Sequence, residues 1–455
     1  MMILSEIHLL RRRSGRKPEI QRRRKILKCD FHLLTNSLYN GKLHTGTIPV
    51  VNRRSAKYRK GGCMPLTPVH IFPEPGEKYQ LSSRYWQGCP TILRTPGGKL
   101  FAGWYSGGTK EPSPENYNLL ISSSDNGWTW SKPLLVVPSE AENNFISIDI
   151  QLWLDPNGRM WMFITQRYLN VPDTELEHLA LWAFICDDPD AEELQWSEPR
   201  YIAPGFLRTQ PTVLSNGDWV LCSYNWATEN YCYSRSKDQG KTWFICQAGK
   251  KLAPDFDETM ILERRDGTLL MLARDLKPLL VKTVSSDLEG SSWTPGTYTR
   301  TLNATSRIYL RRLRSGRVLL IHNDSTNYRT DLVAKLSEDD GETWKYSLQL
   351  DKAENHINGI SYPDAVQADD GTIYIVYDHG RMSCKEIVMA QITEEDIIQG
   401  SITNNNSYLH RIISKAPVPE DMERYEAAKA ADAQWIRDVF DPLLIKIKSI
   451  REKNR

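Results

Sequence analysis

The chain repeats one pattern of polar and apolar positions six times. In each copy a polar turn ends in glycine, and a strand that is apolar at almost every position follows at once. Such a turn joins two antiparallel strands, and a strand without alternation is buried on both faces. The copies are GKLFAGWY at Gly98, GRMWMFIT at Gly158, GDWVLCSY at Gly217, GTLLMLAR at Gly267, GRVLLIHN at Gly316 and GTIYIVYD at Gly371.

The spacing of these units predicts an all-β fold. Successive glycines are 49 to 60 residues apart, and no helical periodicity lies between them. Units of this length, built from paired strands, are typical of propeller blades. We therefore predict a six-bladed β-propeller over residues 64–400. After residue 400 the chain is rich in Ala, Glu and Lys at helical spacing, so residues 401–455 are predicted to be a C-terminal extension with a helix.

A second phrase of eight residues occurs three times. It reads SSDNGWTW from Ser123, SKDQGKTW from Ser236 and SEDDGETW from Ser337. An aspartate in a tight turn accepts hydrogen bonds from backbone N–H groups, and the tryptophan can fill the space between two sheets. Because the phrase recurs from blade to blade, we interpret it as scaffold rather than as catalytic machinery.

Charge is distributed unevenly along the chain. Residues 1–63 hold 16 Lys and Arg against 3 acidic residues, whereas the rest of the chain holds 42 basic and 53 acidic residues. The basic segment is open to interpretation as a nucleic-acid arm or a targeting segment. We predict instead that residues 1–63 are a basic leader outside the fold, since Met64 opens a second plausible start. Because the chain after residue 63 is mildly acidic, we predict no nucleic-acid partner.

Other motifs are scarce. The eight cysteines include no C-x-x-C pair, and no H-E-x-x-H motif occurs, so we predict no disulfide framework, no metal site and no cofactor. There is neither a run of about 18 apolar residues nor the apolar core of a signal peptide. The expected location is therefore the cytoplasm, without a membrane partner. The oligomeric state is left open.

Polar residues are expected to meet at one end of the central channel. The first strand of each blade lines this channel, and its upper end lies about nine residues before the hairpin glycine. Burying charge there is costly unless the groups pair with one another or bind a ligand. A ligand site is favoured over a polar plug. Counting back nine residues gives Cys89, Asp149, Arg208, Glu258, Arg307 and Tyr362.

The six units, the repeated S-x-D-x-G-x-T-W phrase and the stretch YPDAVQADDGTIYIVYD resemble the sialidase superfamily, whose hallmarks are Asp boxes and a six-bladed propeller. The resemblance spans roughly residues 80–400. It implies a retaining exo-glycoside hydrolase of exo-α-sialidase type, acting on a terminal acidic sugar such as sialic acid. The implied partner is a carbohydrate substrate.

The resemblance also implies roles for individual residues. Tyr362 matches the family's nucleophile and Glu258 its paired carboxylate, while Arg274 and Arg329 match two of the three arginines that bind the substrate carboxylate. The proton donor is expected in the loop after GWYSGG, where Glu111 and Glu115 are the only acids. We assign that role to Glu115, with Asp149 as the other candidate. The remaining predicted substrate-binding residues are Asp149, Arg208, Arg307 and Trp86.

The first arginine of the family is missing. The strand that should carry it reads QGCPTIL, with Gly88 at the arginine's place. Gly88 is expected to leave open space beside Tyr85 and Trp86, whose aromatic faces suit a sugar ring. Arg208 and Arg307 are the nearest candidates to replace the missing arginine. We therefore predict weak or absent cleavage of simple sialosides and better activity on another acidic sugar.

Two alternative functions stay open at this point. A propeller lyase acting on uronic acid chains would use Tyr362 or a histidine as its base, and the candidate histidines are His322, His356 and His379. A propeller that binds glycans without turnover is the second alternative. An unsaturated product that absorbs in the ultraviolet would support the lyase, and affinity without turnover would support the binding protein.

Overall fold

The computed structural model describes residues 67–73, 75–253, 257–354 and 359–440. These residues form six antiparallel sheets that are the blades of a β-propeller, as predicted. The basic leader (residues 1–63), His356 and the end of the C-terminal extension lie outside the described residues. The proposal that the leader is not part of the fold therefore stays a prediction.

Each blade is an antiparallel meander whose first strand faces the channel, and blade 1 has an additional outer strand, β1. Blade 1 consists of β1 (Phe72–Pro73), β2 (Trp86–Arg94), β3 (Leu100–Gly107), β4 (Tyr117–Ser123) and β5 (Leu135–Pro138). Blade 2 consists of β6 (Phe145–Leu154), β7 (Met160–Tyr168), β8 (Leu179–Cys186) and β9 (Arg200–Ala203). Blade 3 consists of β10 (Thr212–Val213), β11 (Trp219–Leu221), β12 (Asn230–Ser236) and β13 (Phe244–Lys250). Blade 4 consists of β14 (Thr259–Glu263), β15 (Leu269–Ala273), β16 (Leu279–Val284) and β17 (Thr297–Leu302). Blade 5 consists of β18 (Tyr309–Arg312), β19 (Val318–Asn323), β20 (Asp331–Ser337) and β21 (Tyr346–Lys352). Blade 6 consists of β22 (Ile360–Gln367), β23 (Ile373–His379), β24 (Glu386–Ile392) and β25 (Tyr408–Lys415).

Buried aspartates join the last blade to the first. The carboxylate of Asp364, on β22, accepts hydrogen bonds from the hydroxyl of Thr91 (2.6 Å) and the backbone N–H of Ile92 (3.1 Å) on β2. Asp378, on β23, accepts one from the backbone N–H of Cys89 (2.9 Å). These bonds between residues far apart in sequence close the ring and fix the inner strands around the channel.

The repeated eight-residue phrase forms a structural turn. In its first copy, Asp125 accepts hydrogen bonds from the backbone N–H (2.9 Å) and the hydroxyl (2.6 Å) of Thr129 and from the hydroxyl of Ser123 (2.7 Å). Trp130 packs against apolar residues of blades 1 and 6. The same carboxylate contacts recur in the other two copies, at Asp238 and Asp339.

The C-terminal part contains both a strand and a helix. Strand β25 pairs with β24 as the outer strand of blade 6, so the propeller continues past the predicted boundary at residue 400. A short helix, α1 (Glu394–Gln399), precedes β25. The predicted C-terminal helix is confirmed as α2 (Met422–Trp435), which continues as a wider helical turn, Ile436–Phe440. In the described part of the chain, no helix is long and apolar enough to span a membrane.

Helix α2 is anchored on the loop between β3 and β4. The carboxylate of Asp432 is buried and accepts hydrogen bonds from the backbone N–H (2.8 Å) and hydroxyl (2.7 Å) of Thr109 and from the hydroxyl of Ser113 (2.5 Å). The ring of Tyr425 lies edge-on against Tyr85, with centroids 5.1 Å apart. The helix therefore packs on its own propeller, close to the upper mouth of the channel.

Candidate active site

Three of the six predicted channel residues sit in bulges of the inner strands. Cys89, Asp149 and Tyr362 are non-glycine residues with positive φ angles of 57°, 50° and 54°. The pairing register of β2, β6 and β22 shifts at each of these places. Pro90 and Pro363 follow the first and the last of them, and proline suits a bulge because it has no N–H to donate. Such strained positions are characteristic of functional sites.

The other three predicted channel residues lie just before the inner strands of blades 3, 4 and 5. Glu258 immediately precedes β14, Arg307 lies two residues before β18, and Arg208 lies four residues before β10. Arg307 serves the fold: its guanidinium donates hydrogen bonds to the backbone carbonyls of Tyr362 (2.8 Å) and Pro363 (2.7 Å). It also contacts the carbonyl of Arg208. The structure therefore places Arg307 beneath the site, where it holds the bulge of Tyr362, and not at a substrate-facing position.

Tyr362 and Glu258 form the centre of the site. The Tyr362 hydroxyl donates a hydrogen bond to Oε1 of Glu258 over 2.8 Å. Arg274 donates to Oε2 of Glu258 (2.6 Å) and to the Tyr362 hydroxyl (3.2 Å). Its backbone N–H also bonds to the Glu258 carbonyl (2.9 Å), so one hairpin holds both residues. All three side chains are buried.

Arg208 connects this pair to Asp149. Its Nη1 donates to the Tyr362 hydroxyl (2.8 Å) and to Oε1 of Glu258 (2.9 Å), while its Nε is ion-paired with Oδ2 of Asp149. The other carboxylate oxygen of Asp149 is buried and has no hydrogen-bond partner among the described residues. Burial raises the pKa of Asp149 above its ordinary value, although Arg208 offsets part of that effect.

The electrostatics of the pair set its resting protonation. Burial and the carboxylate of Glu258 raise the pKa of Tyr362, against the opposing effect of Arg208, Arg274 and Arg329. Burial also acts to raise the pKa of Glu258, but Arg274 and Arg208 together lower it to about 2. The resting site at neutral pH therefore holds a neutral phenol beside an ionised carboxylate.

Arg329 is a cation that has no carboxylate partner among the described residues. Its guanidinium donates to the backbone carbonyl of Thr305 (2.8 Å) and the hydroxyl of Ser361 (3.3 Å), and it makes no ion pair within the described residues. It lies 5.3 Å from the ring centroid of Tyr362. Burial and the nearby guanidinium of Arg274 lower its pKa. Positive charge thus accumulates beside Tyr362, which favours the binding of an anion.

A further arginine that the sequence analysis missed lies directly over Tyr362. Arg381, in the loop between β23 and β24, places its guanidinium 4.2 Å from the Tyr362 ring centroid. Its Nε is ion-paired with Asp378 (2.9 Å) and its Nη1 with Glu111 (2.7 Å). A Cβ atom at Gly88 would lie only 2.8 Å from Cδ and Nε of Arg381. Glycine at position 88 is therefore what allows Arg381 to lie across blade 1.

This arrangement corrects two expectations. Gly88 does not leave an open space, because the side chain of Arg381 fills it. The guanidinium beside Gly88 is that of Arg381, whereas Arg208 is ion-paired with Asp149 and Glu258, and Arg307 bonds to backbone carbonyls. Arg381 comes from an irregular loop after the sixth blade's second strand, so counting from the hairpin glycines could not find it. The only sequence signal was a Gly-Arg pair directly after YIVYDH.

The family and the fold are established by comparison with known proteins. The family described as BNR repeat-like domain matches residues 98–375, which is more than half of the chain. The chain belongs to this family. No curated protein matches the chain significantly. This BNR repeat-like protein is also similar to solved structures of sialidases, which supports a sialidase-like propeller.

Three solved structures illustrate the similarity, two of them sialidases and one a protein of unknown function. A Hadza microbial sialidase is 20% identical with a TM-score of 0.54, and the match covers 69% of this chain and 66% of that one. The leech intramolecular trans-sialidase is 13% identical with a TM-score of 0.57, covering 74% and 72%. A protein of unknown function from Dyadobacter fermentans is 17% identical with a TM-score of 0.51, covering 70% and 95%. At these identities the likeness shows the fold alone.

The structure of this BNR repeat-like protein does not bring Glu115 to the site. The Glu115 side chain is exposed and is ion-paired with Lys78 (3.2 Å). It lines a surface cavity of about 600 Å³ together with Tyr79 and Glu140. Glu111, which lies in the same loop, contacts Arg381 instead. Of the two acids in this loop, Glu111 is the one that reaches Arg381, and the sequence alone does not show which acid the loop turns inward.

Trp86 supports the site from below. Its ring is 1% exposed and packs edge-on against Tyr105, with centroids 5.2 Å apart. The guanidinium of Arg381 lies 5.8 Å from the ring centroid. Tyr85 faces helix α2 through Tyr425. The expectation of an open aromatic face for a sugar ring is therefore not met at Trp86, whose ring forms part of the floor under Arg381.

The histidines considered as lyase bases do not contact Tyr362 within the described residues. His322 is fully buried in blade 5, and burial lowers its pKa to about 3. His379 lies at the end of β23 and faces Glu386 at 3.2 Å. Neither location offers a histidine to a ligand that would rest against the Tyr362–Glu258 pair.

Proposed function

We propose that this protein is a retaining exo-glycoside hydrolase of the sialidase type, which acts on a terminal acidic sugar. One observation carries the proposal: the buried hydroxyl of Tyr362 is hydrogen-bonded to Glu258 while the guanidinium groups of Arg274, Arg329 and Arg381 converge around it. A structural polar plug would pair its charges, whereas Arg329 has no carboxylate partner within the described residues.

Tyr362 is the nucleophile in this proposal. A phenol with a raised pKa is neutral at rest, so it must lose its proton as it attacks the anomeric carbon. Glu258 accepts that proton, and the N–H groups of Arg208 and Arg274 stabilise the phenolate at 2.8 Å and 3.2 Å. The glycosyl–tyrosine bond formed in this step is then hydrolysed by water, which gives retention of configuration.

The arginines couple substrate binding to this proton transfer. In the resting site Arg274 and Arg208 keep Glu258 a weak base, with a pKa of about 2. A substrate carboxylate that attracts Arg274 weakens its bond to Glu258 and makes Glu258 more basic when the proton must move. A neutral nucleophile also avoids the repulsion that a carboxylate nucleophile would meet beside an anionic sugar.

The substrate carboxylate is held by Arg274, Arg329 and Arg381. Charge-assisted hydrogen bonds from guanidinium groups are short and directional, so three of them fix both the position and the tilt of a carboxylate. Arg381 approaches from the sixth blade and not from the first blade. The bound anion is therefore displaced relative to an arrangement with an arginine at position 88, and we expect simple sialosides to be poorer substrates than another acidic sugar.

Glu111 is the proton donor in this proposal. Its side chain is 36% exposed and sits at the mouth of the site beside Arg381, where a leaving group would depart. Asp149 is 1% exposed and is tied to Arg208, so it serves to orient that arginine. A donor has to reach the glycosidic oxygen on the solvent side of the sugar, and Glu111 meets that requirement.

A panel of fluorogenic glycosides tests the proposal. It should include sialic acids, uronic acids and other acidic sugars, each assayed with the wild type and with Tyr362→Phe. Release of a free acidic monosaccharide by the wild type alone supports the proposal. An unsaturated product that absorbs in the ultraviolet would instead indicate a lyase. Binding to the sugars without any turnover would indicate a glycan-binding propeller.

A further inference from the structure

A cluster of two histidines and one aspartate lies at the outer side of blades 5 and 6. The possible ligand atoms of Asp351, His379 and His410 all lie within 4.8 Å of one another. Asp351 is on β21, His379 ends β23 and His410 is on β25. The topology of two neighbouring blades brings these three side chains together, and none of them takes part in the site around Tyr362.

The cluster is held in a fixed geometry. Nδ1 of His410 lies 2.9 Å from Oδ2 of Asp351, and the Tyr377 hydroxyl donates to the same oxygen over 3.0 Å. The two imidazole rings are nearly perpendicular, with centroids 5.5 Å apart. Oε2 of Glu386 lies 3.2 Å from Nδ1 of His379, while its Oε1 is held by Lys415 at 2.7 Å.

One nitrogen of the cluster makes no hydrogen bond to the described part of the chain. Nδ1 of His379 is buried, and within the described residues it makes no hydrogen bond of acceptable geometry despite its closeness to Glu386. A buried polar atom without a hydrogen bond is uncommon in a folded protein and calls for a ligand or an ion. Two imidazoles and one carboxylate within reach of one point are also a frequent set of zinc ligands.

We propose that Asp351, His379 and His410 bind a zinc ion that links the outer strands of blades 5 and 6. Tyr377 orients Asp351, as second partners of metal ligands commonly do, and the carboxylate of Glu386 lies beside the Nδ1 of His379 that binds the ion. Water fills the fourth position, since the side chain of His410 is 38% exposed. Binding of the ion releases to solvent the proton that lies between Nδ1 of His410 and Oδ2 of Asp351.

The position of the ion gives it a structural role. His379 and Glu386 face each other across the hairpin of β23 and β24, whose loop is residues 380–385. That loop carries Arg381. An ion held by His379 and by the neighbouring strands would fix the base of this loop to β25 and to blade 5. The ion would therefore stabilise the folded chain whatever reaction the channel site performs.

Zinc binding by the purified full chain tests this proposal directly. After treatment with a chelator and its removal, the protein is titrated with ZnCl2 against a chromophoric zinc chelator, and thermal unfolding is followed in parallel. We expect one zinc ion per chain and an unfolding midpoint several degrees higher with zinc, because the ion binds the native state. CaCl2 should cause no shift, since calcium prefers oxygen ligands.

Variants separate this site from incidental zinc binding. His410→Asn and Asp351→Asn should each lower the zinc affinity at least about tenfold. His70→Asn is the matched control, because His70 also pairs with a single carboxylate, Glu140, at 3.1 Å but belongs to no three-residue cluster in the described part of the chain. Cys384→Ser removes the thiol in the loop 380–385 and should bind zinc like the wild type.

Three results would overturn the proposal. The first is a wild type that binds no zinc beyond the level of a protein lacking the cluster, which would leave only a hydrogen-bonded cluster. The second is unchanged affinity in both His410→Asn and Asp351→Asn. The third is a loss of zinc affinity in Cys384→Ser or in His70→Asn as large as the loss of zinc affinity in His410→Asn. Because His410 is partly exposed, its replacement leaves the blade core intact, and folding is checked by circular dichroism.

Discussion

The hydroxyl of Tyr362 donates a 2.8 Å hydrogen bond to Glu258, although the two residues are 104 positions apart in the chain. Blade 6 supplies the tyrosine from a strained bulge, and blade 4 supplies the carboxylate from the residue before its inner strand. Arg208 and Arg274 bond to both groups. This hydrogen bond makes the two residues one chemical unit, in which the protonation state of each side chain depends on the other.

The first prediction is that the effects of replacing Tyr362 and Glu258 on activity are not additive. Tyr362→Phe should lower kcat/KM at least about a thousandfold, and adding Glu258→Gln should cost little more, because members of one catalytic unit are not additive. Tyr374→Phe, whose hydroxyl bonds to Asn126 in an outer region, is the control and should retain activity. Steady-state kinetics of the double-mutant cycle provide the measurement. Losses that multiply would show that the residues act separately.

The second prediction concerns the contact between Gly88 and Arg381. Arg381→Ala removes a charge-assisted contact and should lower kcat/KM roughly ten- to a hundredfold, mainly through KM. Gly88→Ala should have a similar effect, because its Cβ would meet Arg381 at 2.8 Å and push the guanidinium aside. In the Arg381→Ala background, Gly88→Ala should add almost nothing.

Gly76→Ala is the control for the second prediction. Among the described residues, and apart from its chain neighbours, no atom lies within 4 Å of a Cβ at Gly76, and its φ of −67° suits alanine. It should behave like the wild type. Independent effects of Gly88→Ala and Arg381→Ala on KM would mean that Gly88 matters for a reason other than the passage of Arg381.

The third prediction distinguishes the two acids of the β3–β4 loop. Glu111→Gln should slow hydrolysis of a substrate with a poor leaving group by about 10²- to 10⁴-fold, and much less for an activated phenolic leaving group, which needs no proton. Glu115→Gln removes a surface carboxylate that pairs with Lys78 and should change neither rate. If Glu115→Gln shows the dependence on leaving group and Glu111→Gln does not, the assignment of Glu111 is wrong.

The fourth prediction is a pH dependence of stability. The native pKa of Glu258 is about 2, against an ordinary value of 4.5, so its contribution is fully present above about pH 4.5 and is lost as the pH falls toward 2. Glu258→Gln cannot titrate. The difference in unfolding free energy between wild type and Glu258→Gln should thus be constant above about pH 5 and shrink below pH 4.5, by at most about 3 kcal/mol.

Denaturant unfolding of both proteins from pH 7 to pH 3 measures this difference, and titration of other groups cancels between them. A difference that stays constant through pH 3 would mean that Arg274 and Arg208 do not hold Glu258 in its ionised form. If the difference in unfolding free energy grows at low pH, the pKa of Glu258 is raised and not lowered in the folded protein. That result would show that burial outweighs the two arginines.

The sequence predicted those features of the fold that follow from repetition. Each hairpin glycine has the same place in its blade, so six glycines located six blades, and a fixed count located Tyr362, Glu258, Arg208 and Asp149. The count succeeds because the inner segment of each blade spans nearly the same number of residues before its hairpin glycine, although the hydrogen-bonded strands within it differ in length. It also placed Arg307 correctly in the channel, but it could not show that this guanidinium faces backbone carbonyls.

The features that the sequence did not predict come from irregular segments. Arg381 lies in a loop with no period, and its role depends on a glycine in another blade, 293 positions earlier. The choice between Glu111 and Glu115 depends on how one loop turns. Trp86 is aromatic and close to the site, yet the packing of Tyr105 covers it. Contacts of this kind are set by tertiary structure, which a local pattern does not record.

The most direct test of the account is chemical trapping of the covalent intermediate. The best acidic-sugar substrate from the glycoside panel is prepared with fluorine beside the anomeric carbon and an activated leaving group, which slows release from the enzyme. We predict that peptide mass spectrometry finds one glycosyl unit on Tyr362 and none in Tyr362→Phe. A label on a carboxylate, or full turnover with no covalent label under these conditions, would contradict the central claim that Tyr362 is the nucleophile.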